Sequence, residues 1–467
     1  MKRTAVINVV GLAKGLIHQN NTPSIFRFAQ AGKLALINPA FPALTCTAQS
    51  NYLTGVLPRQ HGIVANGWYD RDLNEPLFWK QSNRLVTARK IWEEIRKIYP
   101  GFKCANLFWW FNMYSSVDYS ITPRPIYLAN GRKIPDIYTE PFSIKNQIET
   151  DIGKFPFPTF WGPFAGVDSK TGRADAASRW IAQAAMWIEE KYHPDLALVY
   201  LPHLDYNLQR YGTNEDLIKD DLMRIDSIVG ELIEFYRQRQ IQVILVSEYG
   251  ISDVKAPIFL NRLFREKGWL RIKDELGRER LDCGASRAFA IVDHQIAHIY
   301  VNDKSLLNQV KDCLENCPGV AAVLDENKKR EFGVDHPRAG DFVAIAQPDH
   351  WFAYYYWFDD KQAPDFATTV DIHRKPGYDP VELFLQNSPF IKAKLAFRIL
   401  QSRLGFRTLF DIIPLDATLV RGSHGAPPMS EEHYPVLIAE SPSLIDGQRI
   451  ESTAVYSIIE RAATGSD

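Results

Sequence analysis

Cysteine is scarce in this chain. Its 467 residues hold five, Cys46, Cys104, Cys283, Cys313 and Cys317. The odd number and irregular spacing exclude a disulfide scaffold and a paired-cysteine metal site, leaving only a loose C-x-x-x-C at Cys313 and Cys317. Reduced thiols are expected, and with them a cytoplasmic setting. Long apolar runs are absent too. No stretch reaches the roughly 18 apolar residues of a membrane-spanning helix. The opening MKRTAVINVVGL begins basic, but its apolar part is short and lacks a small-residue cleavage site. It reads as a core strand rather than a signal peptide. Charge of one sign is also missing. Lys and Arg number 54 against 55 Asp and Glu, a net charge of -1. Taken over the whole chain, that balance offers no footing for nucleic acid or an anionic membrane surface. There is no internal repeat and no low-complexity tract.

What is present is a repeated strand-helix order. Thr4 to Val10 is apolar and β-branched, and Asn21-Thr22-Pro23 opens a helix. Apolar positions from Ala88 to Ile98 recur at helical spacing after Ser82 or Asn83. The runs LALVYL, Leu196 to Leu201, and IQVILVS, Ile241 to Ser247, are continuous apolar strands of the kind buried on both faces of a parallel sheet. The order predicts an α/β fold with a doubly wound, mostly parallel sheet. Residues 255–397 carry shorter elements and read as a smaller mixed α/β cap insertion, between a core of 1–254 and its return at 398–467. In such sheets ligands gather beyond the carboxyl ends of strands. The polar residues after Val10, Leu201 and Val246 therefore matter most.

Phe41 to Asp70 reads FPALTCTAQSNYLTGVLPRQHGIVANGWYD. Later strand ends supply Asp205 in PHLDYNLQRYG and Glu248 in SEYGI, and GSHG supplies His424. In this order, with TG-x-x-P-x-x-HGI-x-x-N at Thr54 to Asn66, they resemble the alkaline phosphatase superfamily. The likeness is to its nucleotide pyrophosphatase/phosphodiesterase and phosphonoacetate hydrolase-like branch. That resemblance implies a phosphoric ester hydrolase with two zinc ions. It implies Thr45 as nucleophile, with Thr47 as the alternative, and Asn66 as donor to a phosphoryl oxygen. It implies Asp205, Glu248 and His424 as metal ligands. An alcohol needs such help, because it is a weak nucleophile at its ordinary pKa. Outside the motif, a threonine and an asparagine here would read as a helix cap and a turn amide.

The chain departs from the family pattern at three ligand positions. Val10 stands where the first strand should end in aspartate, Tyr249 where histidine should follow Glu248, and Gln209 where histidine should follow Asp205. A catalytic zinc usually has three good protein ligands, and neither half of the clamp reaches three. The expected cofactor is a divalent metal, zinc by resemblance, in a reduced or rearranged site of one ion or none. Compensating residues are sought in His203, two residues before Asp205 and on its face if extended, and in Asn8. His294 and His298 in VDHQIAHIY sit at helical spacing, though the segment reads as a strand that parts them. Asp371 and His373 in VDIHRKPGYDP alternate with Val370 and Ile372 as on one strand face, Asp379 and His336 are further candidates, and Arg374 and Lys375 are candidate anion contacts. Each also reads as an ordinary structural or surface residue.

The aromatic runs FWWFNMY, Phe108 to Tyr114, and WFAYYYWF, Trp351 to Phe358, read first as packing and second as a wall for a ring or apolar group. The expected ligand is a small phosphate ester or diphosphate with an aromatic or apolar group. Two alternatives to hydrolysis stand: a family member that binds a phosphorylated metabolite without turnover, and a phosphoryl-group transferase.

Overall fold

A computed structural model describes residues 1–168 and 173–465. Its centre is the strand Thr4–Val9, every residue of which is buried. Leu196–Leu201 and Gln242–Val246 flank it, both parallel, with Asn8 opposite Tyr200 on one side and Val246 on the other. Cys104–Leu107 and Tyr119–Pro123 extend the parallel set beyond Leu196–Leu201. On the opposite wing Val436–Ala439 runs antiparallel between Gln242–Val246 and Lys33–Asn38. Arg449–Glu451 and Ile137–Glu140 close the edges of this nine-stranded sheet.

Helices cover both faces. Pro23–Ala31, Ala176–Tyr192 and Glu215–Gln238 pack with one another on one face, and Thr45–Thr54, Ile91–Ile98 and Ala454–Thr464 pack together on the other. The doubly wound, mostly parallel sheet is therefore the observed architecture. It follows from the sequence: strands covered on both faces are mostly apolar, as these are, with buried polar residues such as Asn8 and Asn106 as exceptions. No helix among the described residues is long and apolar enough to cross a membrane.

A second, four-stranded antiparallel sheet orders Ala288–Asp293, Ile296–Val301, Phe342–Ala346 and Val320–Leu324. Its apolar cluster takes in Trp351 and Trp357 and the tyrosines between them. The run WFAYYYWF is thus mainly packing, with only Phe358 well exposed.

Three local readings need correction. The helix expected from Ser82 or Asn83 begins at Ile91, after a short 3₁₀ turn at Asn83–Leu85. Glu93 reaches back to the Lys90 amide at 3.0 Å, and this cap sets the start. His203 and Asp205 are not on an extended segment but in the first turn of the helix His203–Tyr211. Two residues apart on a helix point nearly oppositely. Asp371 and His373 lie at a turn rather than on a strand face.

Two glycines let the loops close on this helix. At Gly11, φ +76°, a Cβ would lie 3.2 Å from Leu208 Cδ1, so the turn after the first strand presses on the helix flank. At Gly422 a Cβ would stand 2.1 Å from the Leu208 carbonyl oxygen. Only a residue without a side chain brings the Ser423-His424 loop that close.

Candidate active site

At the carboxyl ends of the central strands, Thr45, Asn66, Asp205, Tyr249, His294 and His424 line one cavity. Its volume is 30 Å³, about that of one water molecule. Trp79, Trp110, Trp161, Ile372 and Tyr378 complete the wall, and no Lys or Arg is among the lining residues.

Thr45 is the first residue of the helix Thr45–Thr54, all ten of whose residues are buried. A hydroxyl there sits at the positive end of the helix dipole, where negative charge is favoured. Thr45 Oγ1 lies 3.2 Å from the Tyr249 hydroxyl. Thr47 turns away and donates to the Ile63 carbonyl at 3.3 Å. Asn66 accepts from the Cys46 amide at 3.0 Å, and its Nδ2 donates to Asp293 Oδ1 at 3.3 Å.

Asp205 accepts from Tyr249 at 3.1 Å and from the Gln209 amide at 2.6 Å. Burial pushes its carboxyl up to about 6. Glu248 sits wholly inside, and burial pushes it up to about 8, against the pull of hydrogen bonds from Gln49 and Asn8. Its Oε1 takes the Gln49 amide at 2.6 Å and the Asn8 amide; its Oε2 has no partner. Tyr249 stacks flat on His424, ring centroids 3.6 Å apart at 4°. His424 Nδ1 donates to the Ala43 carbonyl at 2.9 Å, and burial holds the ring well below the usual imidazole range. It is neutral, with Nε2 as the unprotonated nitrogen.

Neither of the two-ion half-sites fits these residues. Val10 is apolar and fully buried. Burial raises the Tyr249 phenol far above its usual range, so it stays protonated. Gln209 spends its amide on Asp205, and Asn8 and Gln49 clasp Glu248. Among the described residues no group of three or more His, Cys, Asp or Glu is placed to hold a metal ion. A valine, an amide and a phenol stand where the resemblance puts metal ligands.

His294 is the compensating candidate that reaches the cavity. It occupies the hairpin turn between Ala288–Asp293 and Ile296–Val301 at φ +58°. Its Nδ1 donates to Asp293 Oδ1 at 2.7 Å, and its Nε2 is buried without a partner. The ring centroid is 4.0 Å from that of His424. Gln295 donates its backbone N–H to the His424 carbonyl at 2.9 Å, tying the hairpin to the SHG loop.

The other candidates lie elsewhere. His203 Nε2 is 2.9 Å from Asp221, on the far side of its helix. His298 is in the strand, as expected, its Nε2 3.2 Å from the Val64 carbonyl. His373 contacts the Trp79 carbonyl at 3.1 Å, and Asp371 pairs with Lys133 and Tyr127. Lys375 is buried against Glu382, and Arg374 lies over the Tyr127 ring. His336 accepts from the Arg338 amide. Asp379 caps the Pro380–Leu383 turn, and burial raises it to about 7.

Two participants escaped the sequence reading. Asp293 stands beside His294 in the quoted VDHQ, a carboxylate-imidazole adjacency overshadowed by the His294/His298 spacing. Gln49 lay inside the opening stretch, with no signal that its amide would meet a carboxylate from another strand end. Of the two aromatic runs, only Trp110 reaches this cavity.

A family model described as type I phosphodiesterase/nucleotide pyrophosphatase matches residues 4–379. The ectonucleotide pyrophosphatase/phosphodiesterase 1 of Saccharomyces cerevisiae is 26% identical over 342 residues, 66% of this chain and 42% of that protein. Human ectonucleotide pyrophosphatase/phosphodiesterase family member 1 is 24% identical over 236 residues, 48% of this chain and 21% of that protein. The matches thus span less than half the length of these relatives. Among solved structures, murine ectonucleotide pyrophosphatase/phosphodiesterase 5 in complex with AMP aligns with a TM-score of 0.57 at 15% identity. It covers 99% of this chain and 95% of that one. Phosphonoacetate hydrolase of Sinorhizobium meliloti 1021 with phosphonoformate gives 0.59 at 14%, covering 99% and 96%. At such identities the structures show the shared fold. With four-fifths of its length inside the family model, the chain belongs to the type I phosphodiesterase/nucleotide pyrophosphatase family.

Proposed function

We propose that this chain cleaves a phosphoric diester or diphosphate bearing an aromatic or apolar group, with Thr45 as the attacking residue. The observation that carries the reading is the convergence of Thr45, Asn66, His294 and His424 on one cavity. The Thr45 oxygen bonds to phosphorus as the bond to the leaving oxygen breaks. The Thr45 proton passes to His294 Nε2, which Asp293 orients from the opposite nitrogen, and then to the leaving oxygen. Water, activated by the same nitrogen, releases the phospho-threonine; another acceptor in its place makes the reaction a transfer. Asn66 and the amino end of the Thr45–Thr54 helix face the developing negative charge. The lining favours a diester over a monoester. It has Asp205 and no Lys or Arg, so one negative charge is easier to admit than two. The aromatic wall suits a ring or an apolar alcohol. No step in this scheme needs an ion.

A second reading, binding without turnover, is favoured by the amides that already occupy one oxygen each of Asp205 and Glu248. One experiment separates the two. Bis(p-nitrophenyl) phosphate is offered to metal-analysed protein, native and Thr45→Ala, with and without chelator. Turnover that persists in chelator, vanishes in the variant and leaves phosphate on Thr45 by mass spectrometry supports the proposal. Equal turnover in the variant overturns the nucleophile. No turnover, with AMP or phosphonoformate bound alike by both proteins, establishes the second reading.

A further inference from the structure

One surface belongs to neither core. Between Phe384 and Phe410 the sequence has five cations, Lys392, Lys394, Arg398, Arg403 and Arg407, and no Asp or Glu. The helix Ile391–Arg403 within it buries none of its residues. At 3.6 residues per turn, Phe390, Ala393, Phe397, Leu400 and Leu404 fall along one stripe. The large side chains of that stripe are exposed: Phe390 by 75%, Phe397 by 56%, Leu400 by 53% and Leu404 by 66%. Ile391 and Leu395, on another side, pack against the second apolar cluster and seat the helix on the body. The stripe therefore faces outward.

Cations border it on both sides. Lys394 and Arg398 line one edge, held by Asp411 at 3.0 and 3.1 Å. Lys392 and Arg403 line the other. Beyond the helix, Arg407 lies against the turn at Gly131 and Arg132 against Gly405, which adds to the basic rim.

A solvent-facing helix side is normally polar. An apolar stripe between two rows of Lys and Arg is the pattern of a helix lying in a lipid interface. The apolar groups reach the acyl boundary, and the long cations snorkel to anionic headgroups. Pairing with a second copy would set basic flank against basic flank. The near-zero net charge of the whole chain hides this local excess. We propose that the Ile391–Arg403 helix docks on an anionic phospholipid surface through its Phe390, Phe397, Leu400 and Leu404 stripe.

The test is flotation of the full chain with vesicles, either equimolar phosphatidylglycerol and phosphatidylcholine or phosphatidylcholine alone. Binding to the anionic vesicles that weakens with salt, and is about tenfold or more weaker for F397S/L400S, supports the proposal. Because both positions are exposed, the variant should keep its Tm, and K392E/R403E provides a second variant that leaves the stripe intact and should also lose binding. Equal binding to both vesicle types overturns the proposal. So does anionic binding that both variants retain, or a native dimer in sedimentation that F397S/L400S dissociates.

Discussion

The Asp293–His294 pair concentrates the chemistry of this site in two adjacent residues. Fixing Nδ1 leaves Nε2 as the one imidazole atom able to exchange a proton with the cavity. Replacing His294 with Ala is expected to lower kcat by about 10²- to 10⁴-fold, the usual worth of a general base, with little change in Tm. Steady-state kinetics on the diester substrate measures it; unchanged kcat would remove His294 from the reaction. Glu248 yields a second expectation, in stability. Its folded pKa of about 8 lies above the 4.5 of an ordinary glutamate. The folded state holds its proton more tightly, so the stabilisation is full below pH 4.5 and is lost as pH rises through 8. Glu248→Gln removes that dependence. Relative to wild type, the variant should gain Tm from pH 5 to about pH 8 and level off above it, a trend that thermal melts at several pH values check. At this scale the resemblance pointed to Thr45, Asn66, Asp205, Glu248 and His424, of which Thr45, Asn66, Asp205 and His424 line the cavity. It did not show Gln49 or Asp293, because hydrogen-bond partners drawn from distant segments leave no local pattern.

Among elements, the helix His203–Tyr211 is pressed hardest by its neighbours. Gly11 and Gly422 close on it from two sides, and Asp205 and Gln209 share its inner face one turn apart. Gly422→Ala would drive a Cβ into the Leu208 carbonyl, separating this helix from the His424 loop. A cost of about 1–3 kcal/mol is expected, the range for overpacked interiors. Urea unfolding measures it, and a midpoint equal to wild type would show that the loop yields freely. Strands were the most legible elements, since double-sided burial demands unbroken apolar runs. The start of this helix was not. Leu204 and Leu208 are four apart, a helical signal, but attention to the His203–Asp205 pair favoured an extended reading. A local cap, Glu93 on the Lys90 amide, set the Ile91–Ile98 helix later than its apolar spacing implied.

Across the whole molecule, the two apolar clusters are not independent. The cluster around the four-stranded sheet includes Cys46, Ile63 and Trp68 from the motif region and Val420 from beyond the expected insertion, and Trp161 packs against both clusters. A cap insertion at 255–397 is our proposal for how the chain is divided, and its expected end falls inside the helix Ile391–Arg403. With core segments supplying the second cluster and Trp161 packed against both, a single calorimetric transition is expected; two resolved transitions would argue for separable units. Dialysis against chelator should leave that transition in place, because internal amides already satisfy two of the four oxygens of Asp205 and Glu248, and Tyr249 satisfies a third. A loss of several degrees would reveal an ion that matters to stability.

The cavity beside Thr45 is small, 30 Å³, and its wall comes from distant stretches: Trp79, Trp110, Trp161 and Tyr378. Admitting anything larger must swing indole and phenol rings aside before bonds can change. Entry, rather than chemistry, then sets the pace at low concentrations, and association should be slow and steeply temperature-dependent. Because three of those rings are indoles, intrinsic emission would follow each arrival directly, giving a stopped-flow signal without a label.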